Sequence, residues 1–400
     1  MNVVMIGPFA FQPKGTVSAR AFFIARALVA RGHRVTILMP PYDNPADSGR
    51  AWQQDGVRLE NLVLRQDDAW HRLVVPVRLA RRAAALAPDV IHVFKPIGYS
   101  GLAGLYLQRF SRRPLVLDTD DWEGPGGWSD VNAHSPLGRR FLAWQERWLP
   151  RHALAVTVAS RTLQERMQAL GIEPARIFYL PNGPDPRLRD LPELPVAEKA
   201  RARQELGVGD APFALYLGHV PRGSDLDLAV EAMAHLAKEL PGARLVVAGV
   251  GEGLEEVRHQ AYRLGLAERV LLVPGWIEHD RAPRYLAVAD AIVAPYRDTL
   301  INRAKCPAKV VQAMALGRPV VTSRVGQNME YVEDGRSGLL AEPGDAADLA
   351  RALRRVLTDP ELAEELGRHA RQRIWQRFDW LRQVDVVEDA YRLARGDGAR

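Results

Sequence analysis

The feature that most constrains this chain is an alternation of short apolar runs and helical patterns that stops at a proline-rich stretch and then starts again. NVVMIG (2–7), HRVTILMP (33–40), VRLENLVL (57–64), DVIHVF (89–94), PLVLDT (114–119) and LAVTVAS (154–160) read as strands. Helical spacing fills 18–32, 72–86, 100–111, 138–149 and 160–170. In the first of these, apolar Phe22, Ile24, Ala25, Leu28 and Val29 share one side, and Gly32 ends the run. The strand runs are continuously apolar, as expected when helices cover both faces of a parallel sheet. Residues 176–195 then bring prolines at 181, 184, 186, 192 and 195 and read as an interdomain linker. Beyond them FALYLG (213–218), ARLVVAG (243–249), RVLLVPG (269–275), AIVAPY (291–296) and RPVVTS (318–323) alternate with helices at 225–240, 253–264, 280–288 and 307–316. Three more helices follow, at 345–357, 360–377 and 379–395. The expected class is α/β: two Rossmann-like, doubly wound parallel-sheet domains facing a cleft. The boundaries are 1–185, a linker 186–195, and 196–378. Ligands of such sheets sit at the carboxyl ends of the strands, so the loops after each strand should carry the chemistry.

A length of 400 residues suits two domains, and 47% apolar with 26% charged residues excludes disorder. The net charge of +6 is mild, and no basic block marks a nucleic-acid arm. One cysteine, Cys306, permits no internal disulfide and no cysteine metal cluster. No apolar run reaches the ~18–20 residues of a membrane span, and MNVVMIG lacks a basic leader, so a cytoplasmic protein is expected. Six lysines stand against 48 arginines, and four of them (Lys14, Lys95, Lys305 and Lys309) fall in the loops singled out here.

The first loop, GPFAFQPKGTVSAR (7–20), brings Gly15, Thr16 and Ser18 to the start of a helix, where the backbone can approach an anion. It lacks the G-x-G-x-x-G of a dinucleotide site, and its plainer reading is a turn with a serine cap. VAGVGEGLEEV (247–257) has Leu254 where that fingerprint needs glycine, which leaves Gly251 as a place for a base or phosphate to approach. LVLDTDDWEG (115–124) sets Asp118, Asp120 and Asp121 at a strand end, suited to sugar hydroxyls, to a divalent cation, or simply to capping the loop. Trp122 and Trp128 would stack on a sugar ring or pack. His92, inside a strand, reads as a core residue, and Lys95 just past the strand end as a ligand.

LYLGHVPRGSD (215–225) places Gly218, His219 and Arg222 between a strand and a helix capped by Ser224 or Asp225. A cation beside a helix N-terminus makes a diphosphate site, unless Arg222 is merely solvated. In RDTLINRAKCPAKVVQAMALGRPVV (297–321), Arg303, Lys305 and Lys309 crowd the front of a helix that carries Gln312 one turn in. Positive charge there opposes the helix dipole, so an anionic ligand is the simplest compensation. Cys306 has no paired base. HRLVVPVRLARRAAALAP (71–88) reads as a helix flanking the sheet or as one touching anionic lipid.

PKGT followed by LVARGHRVTIL, YLPNGPD (179–185), LVVAGVGEG, QAMALGRPVV and VGQNMEYVEDGRSGLLAEPGDAADLA (325–350) together resemble the family-4 retaining glycosyltransferases of the GT-B fold, from residue 1 to about 395. The resemblance implies metal-independent transfer of a hexosyl group from a nucleotide-diphosphate sugar to a hydroxyl on a glycan, lipid or small molecule, with retention and no further cofactor. It implies donor binding in the second domain, acceptor binding in the first, and a final helix, 379–400, packed on the first. Arg222 and Lys309 would then meet the leaving diphosphate, and Asp120 or Asp121 would orient the acceptor beside Lys95, Asp118 and Trp122. Gly15, Thr16, Gly218, His219, Gly251, Asn302, Arg303, Lys305, Cys306 and Gln312 fall on the donor side. Two positions depart from the family pattern: Ala304 and Gln312 stand where two glutamates are usual. His219 and Arg222-Gly223 replace the usual cation pair. A sugar-nucleotide epimerase of the same fold and a nucleotide-sugar-binding protein of low activity are the competing readings. A nicotinamide oxidoreductase lacks the fingerprint. A metal-dependent transferase of another fold would use DTDD and lose activity with chelator.

Overall fold

A computed structural model describes residues 1–12, 15–64, 71–132, 134–222, 224–275, 277 and 281–397, without the side chains of 71–73. Lys14, Gly223 and the side chain of Arg72 therefore lie outside the described residues. The chain divides into two compact units. Unit 1 holds residues 1–183, Arg303–Cys306 and the segment from Trp380; unit 2 holds Pro184–Asn302 and Pro307–Asp379. The proline-rich stretch belongs to unit 2 from residue 184, and 303–306 count with unit 1.

Among the described residues, unit 1 is built on eight strands: β1 Asn2–Ile6, β2 Arg34–Met39, β3 Ala51–Gln54, β4 Val57–Asn61, β5 Val90–Phe94, β6 Leu115–Thr119, β7 Ala155–Val158 and β8 Ile177–Tyr179. Their order is β3-β4-β2-β1-β5-β6-β7-β8, parallel throughout except β3, which runs antiparallel to β4. The β3–β4 hairpin was not expected, although its Asp55-Gly56 turn has positive φ at both positions (48° and 78°), the two-residue geometry that Asp-Gly favours. Strands of β-branched residues pair with helices that bury them. Val3, Met5, Phe22, Phe23 and Ile37 form one core with Trp380, Val384, Val387 and Tyr391 of helix Trp380–Arg395. His92 of β5 is fully buried there. Its Nδ1 lies 3.0 Å from the Tyr391 hydroxyl and its Nε2 3.3 Å from Thr157 Oγ1. Burial, with Arg20 nearby, pushes its pKa down to about 3, so it is a neutral core imidazole. Helix His71–Ala85 buries Val75, Leu79, Ala80 and Ala83, and its Arg82 binds Glu60, as a helix flanking the sheet would.

Unit 2 carries β9 Phe213–Leu217, β10 Arg244–Gly249, β11 Val270–Pro274, β12 Ala291–Ala294, β13 Val320–Ser323 and β14 Leu339–Ala341. The order β11-β10-β9-β12-β13-β14 is wholly parallel. Strand order reverses direction between β9 and β12 here, and between β1 and β5 in unit 1. Those two points are where loops on opposite faces part and leave a crevice. No helix among the described residues is long and apolar enough to cross a membrane.

Candidate functional site

At the unit 2 switch point, Gly218 ends β9 with φ 131°, open only to a residue without Cβ. A Cβ there would meet nothing nearer than the Lys309 side chain, 3.7 Å away. Lys309 stands in the first turn of helix Ala308–Ala315, which follows β12, and its Nζ lies 3.5 Å from the centroid of the Tyr216 ring. The helix begins at Pro307 with no side-chain cap, so its first amides are not taken up by a capping side chain. Helix Leu226–Glu239, after β9, also begins without a side-chain cap, because Asp225 is turned elsewhere. Its carboxylate accepts from Arg297 N, Arg297 Nη1 and Asn302 Nδ2, at 3.1, 3.1 and 2.6 Å. Arg222 lies exposed in the turn between, and no pairing with another side chain holds it among the described residues. Two helix starts without side-chain caps, a lysine and an arginine thus follow β9 and β12, the strands on either side of this switch point, and each favours negative charge.

The unit 1 switch point is acidic. Lys95, just after β5, has φ 67°, a left-handed conformation rare for a lysine. Its Nζ donates to Glu123 Oε1 at 2.8 Å and Asp121 Oδ2 at 3.0 Å, and lies 3.3 Å from Asp120 Oδ1. Burial opposes its charge, but Asp120, Asp121 and Glu123 outweigh this and hold the ammonium well above its usual pKa. Thr16 donates to the other Asp120 oxygen at 2.9 Å. Glu146 lies behind these groups on helix Pro136–His152, fully buried, with neither carboxyl oxygen hydrogen-bonded. Burial first, and then Glu123, push its pKa well up. Both effects favour its neutral form. Below them a second network is sealed. Arg20 makes a bidentate pair with Asp118, both bonds 2.7 Å, and donates to Asn182 Oδ1 at 3.0 Å. Asn182 Nδ2 in turn donates to Cys306 O at 2.8 Å.

A model of "Glycosyl transferases group 1" matches residues 198–373, and one of "Glycosyl transferase 4-like domain" matches 15–183. The chain belongs to the family-4-like group 1 glycosyltransferases. Its GT-B architecture agrees. HepE of Anabaena in complex with UDP and glucose superposes with a TM-score of 0.73 at 20% identity, over 97% of this chain and 98% of that one. The chain is 26% identical to a GDP-mannose-dependent alpha-(1-6)-phosphatidylinositol monomannoside mannosyltransferase of Mycobacterium tuberculosis, over 100% of both. It is also 26% identical to the alpha-D-kanosaminyltransferase of Streptomyces kanamyceticus, where the match covers 57% of each chain.

Several expected site residues of this glycosyltransferase are committed to the fold. Asp118 is fully buried and spent on Arg20 and Thr157, so it cannot reach an acceptor. Trp122 is 1% exposed, donates to Pro125 O, and has Arg166 over its ring, so no face is left for a sugar. Gly251 and its neighbour Gly249 serve loop-on-loop packing: a Cβ at either would fall 2.0 Å from the carbonyl oxygen of Val220 or Gly218. Asn302 is buried on Asp225 and Arg297 O. Cys306 is buried, and its Sγ accepts from Asn182 N at 3.1 Å, a packing role. Gln312 Oε1 accepts from Asp185 N at 2.9 Å. Lys305 lies 4.9 Å from the Trp128 ring centroid, in unit 1. Arg303 and His219 are exposed, Gly15 precedes the first helical turn, and Thr16 serves Asp120. Ala304 is fully buried, and its carbonyl accepts from Ser160 Oγ at 2.8 Å. Sequence reasoning missed Glu123, Glu146, Arg20 and Asn182. Only Glu146 left a local trace: an acid inside the apolar stripe Leu142, Glu146, Leu149, Ala153.

Proposed function

We propose that this protein transfers a hexosyl group from a nucleotide-diphosphate sugar to an acceptor hydroxyl, with retention and without a metal. The observation that carries this reading is Lys309 beside Gly218 at the β9/β12 switch point, between two helix starts that lack side-chain caps. As the sugar–phosphate bond breaks, charge grows on the diphosphate. Lys309, Arg222 and the helix amides favour that charge more in the transition state than in the ground state. The acceptor side is read to Asp120, Asp121 and Glu123, whose carboxylates accept hydrogen bonds from hydroxyls and are already fixed by Lys95. HepE, a fold relative, was crystallised with UDP and glucose, which supports a nucleotide-sugar donor.

Thermal-shift screening against a panel of nucleotide sugars tests this, since a ligand at ~100 times its Kd adds about 2.7 kcal/mol of stability. Hits should then release nucleotide when acceptor is added, with chelator present. Arg222→Ala and Lys309→Ala should each lower turnover by about 100-fold, the usual scale for one such donor. Near-normal turnover in either variant removes that residue from the mechanism. Ala304 favours a second reading, binding of a nucleotide sugar without transfer, because a methyl group makes no contact with a sugar hydroxyl. A thermal shift without nucleotide release would select it.

A further inference from the structure

We propose that unit 2 binds the phosphate group of a small molecule in an arginine-lined cavity at the foot of its sheet. The cavity has a volume of about 630 Å³, within the range of small-ligand pockets. Its walls include Pro212, Asp290 and Pro319, the residues that precede β9, β12 and β13, so it lies at the amino ends of the strands. Gly218 and the loop leading to Lys309 follow the carboxyl ends, the opposite pole of the same sheet. Arg318 lines the cavity from the turn between helix Ala308–Ala315 and β13. Arg368 and Arg371 line it from one side of helix Pro360–Arg377, three residues apart.

Arg318 is half-buried, and the fold leaves its charge uncompensated. Its Nε is buried without a hydrogen-bond partner, and no carboxylate among the described residues pairs with its guanidinium. The two carboxylates that act on it from further off, Asp290 and Glu193, are committed elsewhere. Asp290 lies 3.4 Å from Arg203 Nη1 and accepts from Phe213 N at 2.8 Å, and Glu193 binds Lys199. Burial outweighs both and pushes the guanidinium pKa down. Capping does not account for Arg318 either, because the last carbonyls of helix Ala308–Ala315 are already taken. Ala313 O accepts from Arg318 N, Met314 O from Gly317 N and Ala315 O from Trp375 Nε1, at 3.0, 3.0 and 3.2 Å. A cation held in this way costs free energy unless an anion reaches it. The neighbouring groups decide which anion. Arg203 is spent on the carbonyls of Gly209, Ala211 and Val288. Arg368 is exposed with no side-chain partner among the described residues, and Arg371 donates through Nη2 to Arg189 O at 2.5 Å. Arg318, Arg368 and Arg371 thus keep N–H groups in hand, and guanidinium forks match the several oxygens of a phosphate. The other charged groups of the lining, Asp210 and Glu364, are exposed carboxylates that can only accept, which suits the hydroxyls of a phosphorylated metabolite. Cavity and donor crevice lie at opposite ends of the sheet, so phosphate binding here does not depend on the donor reading.

Isothermal titration calorimetry of the full chain with inorganic phosphate and with glucose 6-phosphate tests it. Both should bind, and more weakly as salt rises from ~0.1 to ~1 M, where the Debye length falls from about 10 to about 3 Å. Glucose 6-phosphate binding ~10-fold or more tighter than phosphate, the scale of one further hydrogen bond to a charged group, assigns the cavity to a phosphorylated metabolite. Equal or weaker affinity assigns it to free phosphate. Arg318→Gln and Arg368→Gln should each weaken binding by ~10-fold or more, the loss of one charge-assisted hydrogen bond. Arg368 is exposed, so its variant keeps the test open if Arg318→Gln fails to fold, and an unchanged circular dichroism spectrum checks both. Lys309→Ala removes a phosphate held in the donor crevice, and binding in the cavity should persist in it within ~2-fold, as expected for distant sites. No binding of either compound, binding indifferent to both arginine variants, or binding absent from Lys309→Ala overturns the proposal.

Discussion

Glu146 is the residue whose chemistry is most at odds with its surroundings. A carboxyl group without a hydrogen bond in a buried place favours its neutral form, and the nearby Asp120, Asp121 and Glu123 reinforce this. The folded chain then holds a proton that the unfolded chain releases above its ordinary value of 4.5. Between 4.5 and the raised folded value, the unfolded state binds fewer protons, so stability falls as pH rises. Glu146→Gln, isosteric with the protonated acid, removes that loss. Its melting temperature should equal the parent's near pH 4 and exceed it at pH 8, by a few degrees for each ~1 kcal/mol recovered. A difference that does not change with pH would mean Glu146 is ionised in the fold. At this scale the sequence was readable where chemistry was rare. Lys95 and Lys309 stood out in an arginine-rich chain, and both lie at switch points. Asp118 was misjudged because its partner, Arg20, is 98 residues away, and no local pattern shows a pairing of that separation.

At the scale of elements, the loops after β9 and β10 are fixed against each other before any ligand binds. Gly218 N donates to Ala248 O, Val220 N to Val250 O and Gly253 N to Val220 O, at 2.9, 2.8 and 3.0 Å. The glycines allow this approach, because a Cβ at position 249 would lie 2.0 Å from the Gly218 carbonyl oxygen and φ there is 149°. Gly249→Ala must therefore push the Gly218 turn out of place, and with it the backbone next to Lys309. It should lower the melting temperature by several degrees, in line with the ~1–3 kcal/mol of a strained non-glycine backbone plus a clash. The thermal shift given by a nucleotide sugar should also fall. Preserved stability and preserved shift together would show that the two loops yield freely. Most strands were readable because continuous apolar runs of five or six residues have few other uses, but the three-residue β8, inside the stretch read as a linker, and the three-residue β14 were not read as strands. The β3–β4 hairpin was overlooked because Ala51–Gln54 is a short edge strand, alternately exposed and half-exposed, with no apolar run to find.

For the molecule as a whole, the ends of the sequence meet in unit 1. Helix Trp380–Arg395 brings Trp380, Val384, Val387 and Tyr391 into the core built by β1, β2 and the first helix, and places the Tyr391 hydroxyl on His92. Four such side chains at about 1.5–3 kcal/mol each account for roughly 6–12 kcal/mol of burial. That is on the order of the whole stability of a domain, about 5–15 kcal/mol. The buried cluster of unit 2, among the described residues, draws on residues between Ala214 and Leu366. Ending the chain after Asp379 should therefore unfold unit 1 selectively. Calorimetry should lose or shift down one transition, and hydrogen exchange should rise across β1, β5 and β6. The transition of unit 2, and its stabilisation by a nucleotide sugar, should survive. Uniform destabilisation of both units would instead mean that they melt as one cooperative body. An unchanged melting profile would mean that the burial of Trp380 and Tyr391 is energetically idle, against the magnitude their side chains imply.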